Sequence, residues 1–180
     1  MRYVPIGPSS DRPGSEGHQV PSETEYREFY VAYGEAMAAW AIVEQNLLAV
    51  FHFHTAPREY AVGSGIYWKL QGFRARLDVT DAAVEASGRS AAELKEWKRI
   101  SEKLGRKSKS RNKLAHYTPC YGREREGLER QMFLGDPKSP FSNSVIKKRD
   151  LEEWAASFDS LAKETIEFFL RAADERSSQP

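Results

Sequence analysis

In the stretch Ser110-Arg111-Asn112-Lys113-Leu114-Ala115-His116-Tyr117 the chain sets a permanent cation, an amide and an imidazole within two helical turns. A guanidinium holds phosphate through a planar fork of N–H donors, and histidine is the side chain best able to give or take a proton near neutral pH. Neither role needs a metal. Asn112 and His116, four residues apart, fall on one face of a helix. Between positions 95 and 113 the cations are Lys95, Lys98, Arg99, Lys103, Arg106, Lys107, Lys109, Arg111 and Lys113, opposed only by Glu96 and Glu102. Such a basic rod attracts a polyphosphate by releasing its counterions, and the attraction falls with salt. A solvated, charge-rich helix face has the same composition.

The rest of the chain must position that stretch. At 180 residues, 40% hydrophobic and 12% aromatic, it suffices for one domain with a real core. The net charge of +1 argues against a wholly basic coat protein, so any attraction to polyanions comes from local clustering. A single cysteine, Cys120, allows no intramolecular disulfide and no thiolate zinc site of its own, which fits a reducing, cytoplasmic setting. The N-terminus lacks the apolar run of a signal peptide and nothing later approaches transmembrane length, so a soluble protein with no membrane partner is expected.

Residues 1 to 22 are rich in Gly, Ser and Pro and too poor in apolar side chains to offset their ordering entropy, which predicts a flexible arm. A helix is expected from Ser22 to Thr55, with Ser22 and Glu25 at capping-box spacing and Tyr26, Tyr30, Tyr33, Met37, Trp40, Leu47 and Phe51 on one face. A second is expected from Gly65 to Ser87, with Ile66, Leu70, Phe73, Leu77 and Val84 inward and Gly88 as its stop. Ser90 and Glu93 announce a third, which carries Trp97, Ile100, Leu104 and Leu114 towards the core and ends near Tyr117, before Pro119. Glycines and prolines punctuate residues 118 to 149 around Gln131-Met132-Phe133-Leu134, giving a small hairpin or loop. Asp150 and Glu153 open the last helix, seamed by Leu151, Trp154, Phe158, Leu161, Thr165 and Phe168. The fold expected is an all-α, up-and-down bundle of four main helices over residues 23–173, followed by a disordered tail at 174–180.

Two polar residues interrupt the apolar seams. Glu44 takes the seam position between Trp40 and Leu47, and Arg111 lies on the stripe of Trp97, Ile100, Leu104, Lys107 and Leu114. Both are expected to point inward and to share a polar cleft, with Asn112 and His116 along its rim. A structural ion pair, or an arginine reaching out to solvent, would read the same way. His52 and His54 diverge on a helix and no ligand cluster accompanies them, so no metal is assigned. Gly63-Ser64-Gly65 reads as a turn rather than a phosphate loop. Arg123, Glu124, Arg125, Glu126, Glu129 and Arg130 make a mixed-sign loop. Tyr117 and Tyr121 are placed to stack a base or to pack.

Arg111-Asn112-Lys113-Leu114-Ala115-His116 resembles the active-site motif of HEPN domains, an arginine, usually a polar neighbour, and a histidine four to six residues on. The layout is similar too, with the motif late in the third long helix, then a hairpin and a final helix, over residues 23 to 173. The resemblance implies a metal-independent endoribonuclease without cofactor, often a toxin or an antiviral effector, or else a silent module that binds nucleotide, RNA or a partner protein. It implies that His116 handles protons, that Arg111 stabilises the phosphate and that Asn112 orients one or the other. The products would be 2′,3′-cyclic phosphate and 5′-hydroxyl ends. It further implies a homodimer with a composite site, and an antitoxin protein as a partner of such toxins. Glu44 is read as a positioning partner of Arg111 or His116, and Lys103, Lys107, Lys109, Lys113 and Tyr117 as RNA contacts.

Overall fold

The computed structural model describes residues 20–123, 129–140 and 145–177. The predicted arm, up to residue 19, the stretch 124–128 of the mixed-sign loop and the last three residues of the tail lie outside them. The chain forms an all-α helical bundle with one small sheet. Its elements are α1 (Glu23–Thr55), α2 (Tyr60–Lys69), α3 (Gly72–Ala86), α4 (Ala91–His116), β1 (Thr118–Gly122), β2 (Gln131–Gly135), β3 (Ile146–Lys147) and α5 (Lys148–Ser177).

The first helix is the axis of the fold and packs along its length against α5. By length and composition α1 alone among the described residues could cross a membrane, which corrects the expectation that no segment approaches transmembrane length. In the bundle it is the central helix, with Phe29, Ala32, Ala36, Trp40, Val43, Leu47 and Val50 at 2% exposure or less. Each such large side chain contributes roughly 1.5–3 kcal/mol by leaving water. Trp40 sits at the crossing, edge-on to Phe73 of α3 at 4.7 Å and to Phe158 of α5 at 5.1 Å.

Side-chain hydrogen bonds mark where α1, α4 and α5 begin. Ser90 and Glu93 form the full reciprocal box at the start of α4. At α1 only half the expected box exists: Ser22 Oγ accepts from the Glu25 amide, but the Glu25 carboxylate turns away and accepts from the Met132 amide at 3.0 Å, tying α1 to the sheet. At α5 the helix starts two residues before the expected cap. Asp150 lies inside the first turn and its carboxylate reaches back to the Lys147 amide at 2.8 Å. The far end of α5 continues through Ser177, into the segment read as a tail.

The expected second helix is two helices. The chain breaks at Leu70 and Gln71, both extended, and Gly72 takes φ +79°, a conformation that favours glycine. The three glycine-spaced residues Gly63, Ser64 and Gly65, read as a turn, belong to α2. Gly63 is there for closeness, since a Cβ would meet Pro57 Cγ at 2.8 Å and His52 Cε1 at 2.9 Å. Ile66, assigned to the interior, is 59% exposed because the break rotates α2 away from the face that α3 buries with Phe73, Leu77 and Val84.

The sheet is antiparallel in the order β1-β2-β3. Cys120 opposes Phe133, and Leu134 opposes Ile146. Pro119 is tolerated because β1 is an edge strand. Directly before β1, the last turn of α4 is tied to α1 by the Tyr33 hydroxyl, which donates to the Leu114 carbonyl at 3.1 Å.

Candidate functional site

The end of α4 holds the candidate chemistry. Its apolar stripe is as expected: Trp97, Ile100, Leu104 and Leu114 are buried, while Lys107 and Arg111, on the same stripe, are half-buried. Arg111 has a fully buried Nε without a hydrogen-bond partner, and among the described residues its side chain has no ion pair. Asn112 and His116 are exposed on the adjoining face, and His116 is the last residue of the helix. At about 100° per residue Asn112 and His116 differ by roughly 40°, whereas Arg111 and His116 diverge by roughly 140°. One helix therefore presents the amide and imidazole together, with the guanidinium on a different face.

Glu44 is directed inward, as its seam position required, but its partner is not Arg111. Its Oε1 accepts from Arg76 Nη1 of α3 at 3.2 Å. The Arg76 guanidinium lies 4.4 Å from the centre of the Trp68 ring, closing a cluster of α1, α2 and α3. The shared Glu44–Arg111 cleft is replaced by this pair because α3 runs past Glu44.

The basic rod divides around the helix. Lys103 is held by Glu164 of α5 at 2.8 Å, and Arg99 donates to the same carboxylate at 3.0 Å. Burial raises the pKa of Glu164, but Lys103 and Arg99 outweigh that and hold it below the ordinary value. Lys107 joins Lys103 in a groove of about 360 Å³ between α4 and α5, beside Ser157 and Ser160. Lys109 faces the other way, into a groove of about 920 Å³ between α3 and α4. Lys113 stands at the helix end with its Nζ 5.9 Å from the Tyr117 ring centre, and Tyr117 packs partly buried against the core, as does Tyr121. The RNA contacts expected from sequence thus occupy two sides of α4 and its tip rather than one patch. Neither groove takes in Arg111 or His116.

The histidines of α1 separate, His52 Nε2 pairing with Ser64 Oγ at 3.2 Å and His54 Nδ1 with Ser87 Oγ at 2.9 Å. Among the described residues no three metal-ligating side chains converge. Cys120 is buried, and burial raises its thiol pKa, which leaves it poorly nucleophilic.

Sequence reasoning missed Asp81. This half-buried carboxylate lines the α3–α4 groove and accepts from Trp97 Nε1 and from Ser101 Oγ, each at 2.9 Å. The only signal was Trp97 and Ser101 four residues apart, two donors on one face of α4. Comparison of the chain with family models, curated proteins and solved structures finds no match.

Proposed function

We propose that this protein is a metal-independent endoribonuclease that acts as a two-fold dimer, with Arg111, Asn112 and His116 as its catalytic residues. The observation that carries the reading is Arg111, half-buried with a buried N–H left unsatisfied, on the face of a basic helix end next to the one that exposes Asn112 and His116. A buried donor without a partner costs about 1–3 kcal/mol, a cost that a turn of the half-buried guanidinium onto an anionic ligand would remove.

The chemistry follows from RNA's own nucleophile. The ribose 2′-oxygen attacks phosphorus as a base takes its proton, and the P–O5′ bond breaks as an acid protonates the leaving oxygen. Arg111 stabilises the phosphorane's charge and Asn112 orients phosphate or imidazole. In-line displacement needs the base and the acid on opposite sides of phosphorus. Two copies of the α4 tip across a two-fold axis supply two imidazoles and two guanidiniums, which also overcomes the divergence of Arg111 from His116 within one chain. In the cell we assign this activity to a cytoplasmic toxin or antiviral effector, restrained by an antitoxin protein, so that expression arrests growth and His116→Ala relieves the arrest.

That same divergence favours a second reading, a silent module that binds nucleotide, RNA or a partner protein, for a chain that stays monomeric. Incubating the protein with total RNA in EDTA, beside folded Arg111→Ala and His116→Ala variants, decides between them. Cyclic-phosphate ends from the unaltered protein alone uphold the nuclease. Absence of cleavage in all three favours the silent module, and equal cleavage in all three sinks the assignment of the site.

A further inference from the structure

The α3–α4 groove and the α4 tip share one face of the helix. Ser101, Gly105, Lys109, Asn112 and His116 follow one another at steps of four, four, three and four residues, and the first three line the groove. The stripe from Ser101 to His116 spans roughly 22 Å of helix. A strand whose phosphate sits at His116 is therefore led along this face.

The groove's charges are sorted. Its wall carries Lys98, Arg106 and Lys109, all exposed, while its half-buried carboxylate is Asp81. The other two acids of the lining, Glu85 and Glu102, are exposed, and five cations in all face three carboxylates. A phosphate backbone is repelled by Asp81 and attracted to the rim, so a nucleotide here lies with its phosphates outward and its base inward. Asp81 has no ion pair among the described residues. Trp97 and Ser101 each bond one of its two oxygens, which fixes the carboxylate and leaves each oxygen room to accept again. Burial raises the Asp81 pKa while those two donors oppose the rise, so further N–H donors would favour its charged form. The α4–α5 groove is a weaker track, since Glu164 already occupies Lys103.

We infer that the α3–α4 groove holds the single-stranded RNA next to the scissile phosphate and that Asp81 selects guanine within it. This rests on the nuclease reading for its register, though the groove's own chemistry does not depend on cleavage. Guanine alone sets two donors side by side, N1–H and N2–H, a match for both oxygens of a carboxylate. On the same edge adenine and cytosine pair their amino group with an acceptor, and uracil flanks its one N–H with carbonyls, which a carboxylate repels.

The test measures binding of labelled hexaribonucleotides to the full chain carrying His116→Ala, comparing an oligouridine with one central guanosine, the same with adenosine, and plain oligouridine. The guanosine probe is expected to bind about tenfold tighter. Asp81→Asn should cut that preference to within about twofold, and Lys98→Glu with Lys109→Glu should weaken all three probes alike. Equal binding of the three probes, or a preference that survives in folded Asp81→Asn protein, overturns the inference. Should Asp81→Asn fail to fold, Gly105→Met, which fills the groove beside Arg74 and Leu77, must abolish the preference, and its persistence overturns the inference equally. Cleavage of total RNA by the unaltered chain without guanine next to the cut overturns the groove assignment and leaves the nuclease reading. Guanine-selective binding without cleavage does the reverse for the base-selective groove and the nuclease reading.

Discussion

Glu44 and Arg76 form an ion pair at 3.2 Å between α1 and α3, with only 15% and 16% of their side chains exposed. Arg76 also lies over Trp68, so this one guanidinium joins three helices. Removing one member of so enclosed a pair leaves the other charge without compensation. Glu44→Ala is expected to destabilise the fold by roughly 3 kcal/mol, measured by denaturant unfolding. In double-mutant cycles Glu44 should couple to Arg76 by about 1 kcal/mol or more and to Arg111 by under about 0.5 kcal/mol. Strong coupling to Arg111 would restore the Glu44–Arg111 cleft.

Glu164 restrains two cations of the basic helix, Lys103 and Arg99. Its carboxyl is held below the ordinary 4.5 by those partners despite burial, so the clasp contributes stability above pH 4.5 that is lost as pH falls through the lowered pKa. Glu164→Gln frees both cations. Partly exposed pairs of this kind contribute about 0–1 kcal/mol, so stability should change little. Because the inferred RNA track lies on the α3 side of α4, affinity for single-stranded RNA should change by less than about twofold and the slope of log affinity against log salt by less than about 0.5, read from a salt titration. A slope steeper by about 1 or more would place the RNA on the α5 side of α4 and against the α3–α4 track.

Periodicity made much of this architecture readable. The stripe from Trp97 through Leu114 and the seam from Leu151 to Phe168 follow helical spacing, and the Ser90–Glu93 box marks its helix. The break between α2 and α3 was hidden because Ile66, Leu70, Phe73 and Leu77 keep an unbroken helical period across it. Gly72 alone signalled it, and a glycine within a periodic run is usually tolerated. Inward Glu44 was legible from its seam, whereas its partner was a matter of which helix crosses there, and local pattern carries no such information. Asp81 was invisible for the same reason, since its meaning comes from Trp97 and Ser101 on another helix. β3, two residues long, is too short for alternation to declare.

Glycines in two helices make opposite predictions. Gly34 in α1 has open space where a Cβ would stand, so Gly34→Ala should stabilise by about 0.5–1 kcal/mol through helix propensity. Gly63 in α2 would set its Cβ against Pro57 and His52, so Gly63→Ala should destabilise by roughly 1–3 kcal/mol through overpacking. Thermal unfolding of both variants checks the pair. If Gly34→Ala destabilises instead, α1 meets another surface at that position.

His52 makes the docking of α2 sensitive to acid. Its imidazole bonds Ser64 at 3.2 Å and stacks on Tyr60 at 4.2 Å, both residues of α2. Burial lowers its pKa beneath the ordinary 6.5, so the folded chain disfavours the imidazolium. The contribution of His52 is therefore whole above pH 6.5 and is lost as pH falls from there through the lowered pKa. Hydrogen exchange of α2 amides is expected to quicken between pH 7.5 and 5.5, after correction for the intrinsic rate, while α1 and α5 stay protected. His52→Phe keeps a ring against Tyr60 and has nothing to titrate, so the pH effect should vanish in that variant. Persistence of the effect in His52→Phe would assign it to another group.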